Sequence, residues 1–139
     1  MKFYKRKSKK SLESRAIPAE SEANEQAIVV RWLQYTYPNV LFCASAGGMF
    51  TSPTQAIKMK RTGYVKGFPD LFIYEPRSHY HGLAIEMKRL KGGVVSTEQK
   101  EWKERLTERG YKSVICKGAE EAIKVLEEYL GGCSEKPNS

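Results

Sequence analysis

Residues 82–89 read Gly-Leu-Ala-Ile-Glu-Met-Lys-Arg, and this stretch decides the fold. Its large apolar side chains occupy every second position from Leu83 to Met87, which is the period of a β-strand. Glu86 and Lys88 therefore share one face of the predicted strand. A carboxylate and an ammonium group are neighbours on that face.

A second motif, Gly67-Phe68-Pro69-Asp70, ends sixteen positions before Glu86, and the apolar run 71–74 follows it. The segment between the two apolar runs, residues 75–82, contains Pro, Ser and Gly and predicts the turn of a β-hairpin. Such a hairpin places Asp70 beside Glu86. We therefore expect an Asp, a Glu and a Lys at one position of the sheet.

This combination of side chains suits the hydrolysis of phosphodiester bonds. Two carboxylates, with a backbone carbonyl and waters, form the oxygen site that Mg²⁺ prefers, and a divalent ion there activates water and neutralises charge on a phosphate. A lysine on the same face orients or deprotonates the water, or stabilises the transition state. The alternative interpretation is an exposed surface salt bridge, which contributes little to stability.

Pro69-Asp70 and Glu86-Met87-Lys88 resemble the two half-motifs of the PD-(D/E)XK nucleases. The ordered set of residues 63–71, 84–88, Gly92-Gly93 and Ser96-Thr97-Glu98-Gln99-Lys100 resembles, more narrowly, the virus-type replication-repair nuclease (VRR-NUC) branch. The resemblance extends over roughly residues 20–130. The two half-motifs alone are short and recur by chance, whereas the ordered set is specific.

The resemblance implies an α/β, restriction-endonuclease-like fold, with the αβββαβ PD-(D/E)XK core as a mixed sheet flanked by helices. It also implies that Asp70, Glu86 and the carbonyl of Met87 hold Mg²⁺ or Mn²⁺. Lys88 is then the residue that positions the attacking water.

Two more residues are expected at the site by resemblance. The family places an acidic residue on the first helix; Glu22 fits best, and Glu25 is the alternative. The simpler interpretation of Glu22 is a first-turn acid favoured by the helix dipole. The family also places a glutamine near the site, and Gln99 matches it, although Gln99 also follows Ser96 at capping-box spacing.

The charge distribution indicates a nucleic-acid partner. The chain of 139 residues has a formal net charge of +8. Residues 1–15 carry seven Lys or Arg and one Glu, which predicts a basic, disordered tail over 1–19. The other predicted segments are a nuclease domain over 20–132 and a disordered tail over 133–139. Basic residues flank both half-motifs, and we predict that they bind DNA phosphates. They are Lys58, Lys60, Arg61, Lys66, Arg89 and Lys91.

Apolar periods, caps and turn residues predict the order α-β-α-β-β-α-β-α. In the first helix, Ala23, Ala27, Val30 and Leu33 recur at helical spacing. The second helix is an insertion relative to the family core, and the first strand is expected to be buried. The predicted helices cover residues 22–37, 54–61, 97–109 and 119–130, and the predicted strands cover 40–44, 71–74, 83–89 and 114–116.

The sequence thus predicts a Mg²⁺- or Mn²⁺-dependent deoxyribonuclease that cuts branched DNA, a Holliday junction or a flap, in replication, recombination or repair. Two strands of a junction call for two active sites, which a C2 homodimer provides. The absence of C-x-x-C spacing and of an apolar stretch of roughly 20 residues favours reduced thiols and a cytoplasmic location, with no membrane partner. The alternatives are a non-catalytic DNA-binding module and a restriction or mismatch-repair endonuclease of the same fold.

Overall fold

The computed structural model describes residues 21–45 and 52–131, so both predicted tails lie outside the described residues. The elements follow the predicted order, and most boundaries agree within one or two residues, the usual scatter of helix and strand ends. In chain order they are α1 Glu22–Thr36, β1 Phe42–Ala44, α2 Pro53–Arg61, β2 Leu71–Ile73, β3 Leu83–Lys88, α3 Thr97–Glu108, β4 Lys112–Lys117 and α4 Gly118–Gly131.

The four strands form one mixed sheet in the order β1-β2-β3-β4. The β1–β2 and β2–β3 pairs are antiparallel, and β3 and β4 are parallel neighbours joined through α3. A bridge between Arg77 and Tyr80 lies within the connection from β2 to β3, so the predicted hairpin is present. The predicted mixed sheet flanked by helices is confirmed.

Helices cover both faces of the sheet because both faces of β2 and β3 are buried. On one face the main core packs against α1 and α4, and it includes Val29, Leu33, Ile85 and Leu126. On the other face Phe72 and Ala84 pack with Leu106 of α3. The side chains of β3 therefore alternate between two cores, with Glu86 and Lys88 on the α3 side.

Two sequence-based details differ from the structure. The first strand is not buried as expected: β1 is the edge strand of the sheet, and Cys43 and Ala44 are exposed. The fourth strand is longer than the apolar run 114–116, because it pairs with β3 in continuous register from Lys112 to Lys117. Hydrogen bonding to a buried neighbour extends the strand beyond the residues that its apolar pattern marks.

Serine caps fix the starts of three helices, as their sequences indicate. Ser21 accepts a hydrogen bond from the Asn24 backbone, while Ser52 and Ser96 each form a complete capping box. Within residues 21–45 and 52–131, no helix is long and apolar enough to cross a membrane.

Candidate active site

Asp70 and Glu86 meet at the point where β2 begins beside β3. The register pairs Leu71 with Ile85, so the residue before Leu71 lies next to the residue after Ile85. The Asp70 carboxylate accepts a hydrogen bond from the backbone N–H of Met87 at 2.7 Å. The hairpin thus brings together the two half-motifs, with Asp70 fixed by the backbone of β3.

The loop that leads into Asp70 is held against α3. Gly67 has φ +90°, and a Cβ atom there would lie 2.7 Å from the backbone carbon of Glu98, so only glycine allows this close approach. Next to it, the Trp102 indole N–H donates to the Lys66 carbonyl at 3.1 Å. Asp70 is therefore anchored from β3 on one side and from α3 on the other.

Glu86 and Lys88 form a buried ion pair. The Lys88 ammonium lies 3.4 Å from Glu86 Oε1, and the two side chains are only 8% and 9% exposed. The surface salt bridge considered above is therefore excluded. Burial of two charges carries a desolvation penalty that the pair itself repays only with good geometry and further hydrogen bonds.

Gln99 makes the contacts that both interpretations of this residue require. Its side-chain oxygen accepts from the Ser96 backbone N–H at 3.0 Å, which completes the capping box of α3. Its side-chain N–H donates to Glu86 Oε1. The capping bond orients the amide group, so that its donor points at the carboxylate.

The second oxygen of Glu86 is unsatisfied. Among the residues that the structure describes, Glu86 Oε2 is the buried side-chain polar atom with no hydrogen-bond partner. Burial, and then repulsion from Asp70, raise the pKa of Glu86 to about 7 against the attraction of Lys88. Burial also raises the pKa of Asp70, opposed first by the Met87 hydrogen bond. Both carboxylates are therefore short of positive charge.

The donor set fits a divalent cation that takes oxygen ligands. An unpaired carboxylate oxygen beside a second carboxylate is what such an ion would complete. In the described part of the chain, no three His, Cys, Asp or Glu side chains are grouped to hold a metal. A site with two carboxylates keeps positions for backbone, water or phosphate oxygens, as Mg²⁺ sites generally do.

The two glutamates of α1 have different surroundings. Glu22 accepts from the Arg89 backbone N–H at 3.4 Å, which places it at the end of β3, beside the site. Glu25 is buried and accepts from the Ala119 backbone N–H in the first turn of α4. Of the two predicted alternatives, Glu22 is the one that shares surroundings with Asp70.

A cleft that we call the side cleft opens between α1 and the site, with a volume of about 360 Å³. Its floor includes the junction where the Ser45 N–H donates to the Asp70 carbonyl at 2.8 Å. The sequence analysis missed this feature, although the spacing of Ala23, Ala27 and Val30 marks its wall. The lining residues are Glu22, Ala23, Gln26, Ala27, Val30, Ser45 and Asp70.

The predicted DNA-binding residues fall into two groups. Those of the first group, Lys58, Lys60 and Arg61, lie on α2, whose nine residues are all at least partly exposed in the described structure. The second group surrounds the site: the Lys66 ammonium pairs with Glu98 at 3.3 Å, the Arg89 guanidinium donates to the Gly92 carbonyl, and Lys91 is exposed. Their contact with DNA stays a prediction.

Comparison with known proteins identifies the family and agrees with the fold. The family model for the VRR-NUC domain matches residues 11–120. A solved structure described as a VRR_NUC domain protein is 30% identical, superposes with a TM-score of 0.68, and the alignment covers 81% of this chain and 89% of that chain. A search of curated proteins finds no match. The chain therefore belongs to the VRR-NUC family and contains a nuclease-type domain.

Proposed function

We propose that the protein is a Mg²⁺- or Mn²⁺-dependent endonuclease that hydrolyses phosphodiester bonds in DNA, with a preference for branched DNA. The observation that carries this proposal is the unpaired, buried oxygen of Glu86 beside Asp70. A buried carboxylate oxygen without a hydrogen-bond partner costs stability. A cation at this position removes that cost and supplies the reactive centre of a nuclease.

Asp70, Glu86 and the carbonyl of Met87 are the groups that would hold the ion. When bound, the ion polarises the phosphate and lowers the pKa of water. Asp70 is held for this role by the Met87 N–H. Gln99 occupies Oε1 of Glu86, and this leaves Oε2 as the ligand oxygen.

Lys88 is the general acid–base candidate. Its ammonium group lies 3.4 Å from Glu86 Oε1 and is almost fully buried. From there it donates hydrogen bonds to a water or to a phosphate oxygen on the same face of β3, and it balances charge that develops in the transition state. Glu22 reaches the same region from α1 and orients solvent at the edge of the site.

Substrate selection follows from the basic residues and from the number of sites. The side chains of Lys58, Lys60, Arg61, Lys66, Arg89 and Lys91 contact phosphates and carry no sequence information. We propose a C2 homodimer that presents two sites to the two strands of a junction. A sedimentation mass near twice 15.8 kDa supports it, and a monomer that cuts both strands in one encounter contradicts it.

The test is a cleavage panel with labelled duplex, flap, splayed-arm and four-way-junction DNA, each with Mg²⁺, Mn²⁺ or EDTA. We expect cleavage with either metal, none in EDTA, and faster cleavage of branched DNA than of duplex. Asp70→Asn is the control for a contaminating nuclease. Binding of every DNA without cleavage under any condition would support a non-catalytic DNA-binding module and reject the proposal.

A further inference from the structure

The side cleft joins two carboxylates of the candidate site to an apolar wall on α1 that neither the metal site nor the phosphate contacts explain. Of the seven described residues that line it, two are carboxylates and none is basic. Inside the cleft, away from the candidate metal position, a phosphate would be repelled by Glu22 and Asp70. The cleft therefore suits an uncharged group that is connected to a phosphate held nearby.

Its shape and wall point to the same conclusion. Ala23 and Ala27 lie one helical turn apart, and their small side chains leave the space that larger residues would fill. Val30 extends this apolar wall, while Gln26 supplies an amide that both donates and accepts hydrogen bonds. A volume of about 360 Å³ lies at the lower end of ligand pockets, the size class of a single nucleoside.

The cleft is continuous with the candidate metal site because Asp70 belongs to both. A nucleotide whose phosphate lies at Asp70 and Glu86 has its sugar and base within reach of the α1 wall. To enter, the base must leave its stack, which costs a few kcal/mol in duplex DNA and least where the nucleotide is unpaired. The cost of entry therefore depends on the structure of the DNA.

We propose that the side cleft accepts the unstacked base of an unpaired nucleotide next to the scissile phosphate, and that this contact selects branched over duplex DNA. This inference rests on the proposed nuclease function and assigns its structural selectivity to the residues of one wall. Gln26, Ala23 and Ala27 are the specificity-determining residues.

The first test compares three splayed-arm DNAs that differ at one nucleotide beside the mapped cut: a paired base, an unpaired base and an unpaired abasic sugar. We expect the unpaired base to be cut about tenfold faster than the other two, the discrimination that a pocket reaches by shape and contact. Equal rates for the unpaired base and the abasic sugar would overturn the inference.

A variant that fills the cleft sharpens the test. Ala27 is exposed on α1, so Ala27→Leu adds volume to the cleft without entering the core. We expect this variant to cut all three DNAs at the slow rate. The matched control is Thr36→Leu, which adds the same side chain at an exposed position on the same helix, away from the cleft, and should retain the preference.

A binding measurement separates this inference from the nuclease function. With 2-aminopurine as the unpaired base, a non-hydrolysable linkage at the mapped cut and Mg²⁺ present, wild type should raise its fluorescence severalfold on unstacking, and Ala27→Leu should not. No change with wild type, while Asp70→Asn still abolishes cleavage, would reject the cleft and keep the nuclease. No cleavage of any DNA would reject the nuclease and, because no cut is then mapped, the cleft together with it.

Discussion

Both faces of β3 are buried, but one face carries large apolar side chains and the other carries two charged ones. Leu83, Ile85 and Met87 are fully buried beneath α1 and α4, whereas Glu86 and Lys88, 7% and 6% exposed, face α3. Apolar burial contributes about 25 cal/mol per Å², while burial of an ion pair carries a desolvation cost. One six-residue strand therefore holds the centre of the main core on one face and an incompletely satisfied charge cluster on the other.

The apolar face of β3 therefore contributes to folding, whereas the charged face carries the groups of the proposed reaction. Removal of a side chain from the apolar face should reduce stability and leave chemistry intact. Removal of a charge from the polar face should eliminate chemistry, and because it leaves the partner charge buried, stability must be measured alongside the rate. Neighbouring residues of the same strand provide the controls for each other.

The largest contrast is expected between Glu86→Gln and Met87→Leu. Glu86→Gln removes the ligand charge and should lower the cleavage rate by at least about 10³-fold, the upper end for loss of one electrostatic group. Met87→Leu keeps the backbone carbonyl and nearly the same volume, so its rate should stay within about threefold of wild type. Single-turnover cleavage of a junction DNA measures both.

Circular dichroism and DNA binding serve as controls for folding in both variants. Cleavage by Glu86→Gln within about tenfold of wild type would show that this carboxylate is not a metal ligand.

Lys88→Met should give the next largest effect. Methionine keeps most of the apolar stem in its buried position and removes the ammonium group. We expect the single-turnover rate to fall by about 10²-fold, as for loss of a positioned acid or base, with DNA affinity nearly unchanged. A decrease of only twofold would assign Lys88 a structural role as the partner of Glu86.

Gln99→Glu separates the two roles of residue 99. Glutamate completes a capping box as well as glutamine does, so α3 should keep its stability. A carboxylate in place of the amide donor repels Glu86, and we expect the rate to fall by about tenfold and the metal requirement to rise. Titration of cleavage with Mg²⁺, together with thermal unfolding, measures both effects. A large drop in Tm with unchanged metal dependence would contradict the active-site role.

The polar face of β3 was predictable because the strand period of two and the short turn are local signals. Glu86 and Lys88 had to share a face, and the hairpin brought Asp70 to them. The burial of that face depends on α3, which packs Gln99 over Glu86. The sequence therefore indicated both roles for Gln99 and could not show that one conformation satisfies both.

The phase of α1 was not predictable in the same way. The sequence predicts Ala23, Ala27, Val30 and Leu33 as one apolar stripe, and of these only Leu33 is buried. The other buried side chains of α1 are Glu25 and Val29. Glu25 is buried because it receives the N–H of Ala119 at the start of α4, a partner that lies 94 positions away. Because Glu25 is polar, the buried positions of α1 do not form a recognisable apolar pattern in the sequence. Ala23 and Ala27 line the side cleft and do not enter the core.

The smallest expected effect concerns the stability of the metal-free protein. Because the pKa of Glu86 is raised from 4.5 to about 7 in the folded state, the folded protein binds more protons than the unfolded chain. The contribution of Glu86 to the free energy of unfolding is then fully present below pH 4.5 and is lost as the pH rises through about 7. In EDTA, Glu86→Gln should therefore lose less stability than wild type between pH 4.5 and pH 8, which is measured as a smaller fall in Tm.

The same measurement distinguishes the cause of this difference. At pH 4.5 the two proteins should unfold at nearly the same temperature, because the wild-type carboxyl group is protonated and resembles the amide. At pH 8, added Mg²⁺ should raise the Tm of wild type by preferential binding to the folded state and leave Glu86→Gln nearly unchanged. An equal rise in both proteins would place the ion elsewhere and would leave the unpaired oxygen of Glu86 without its proposed ligand.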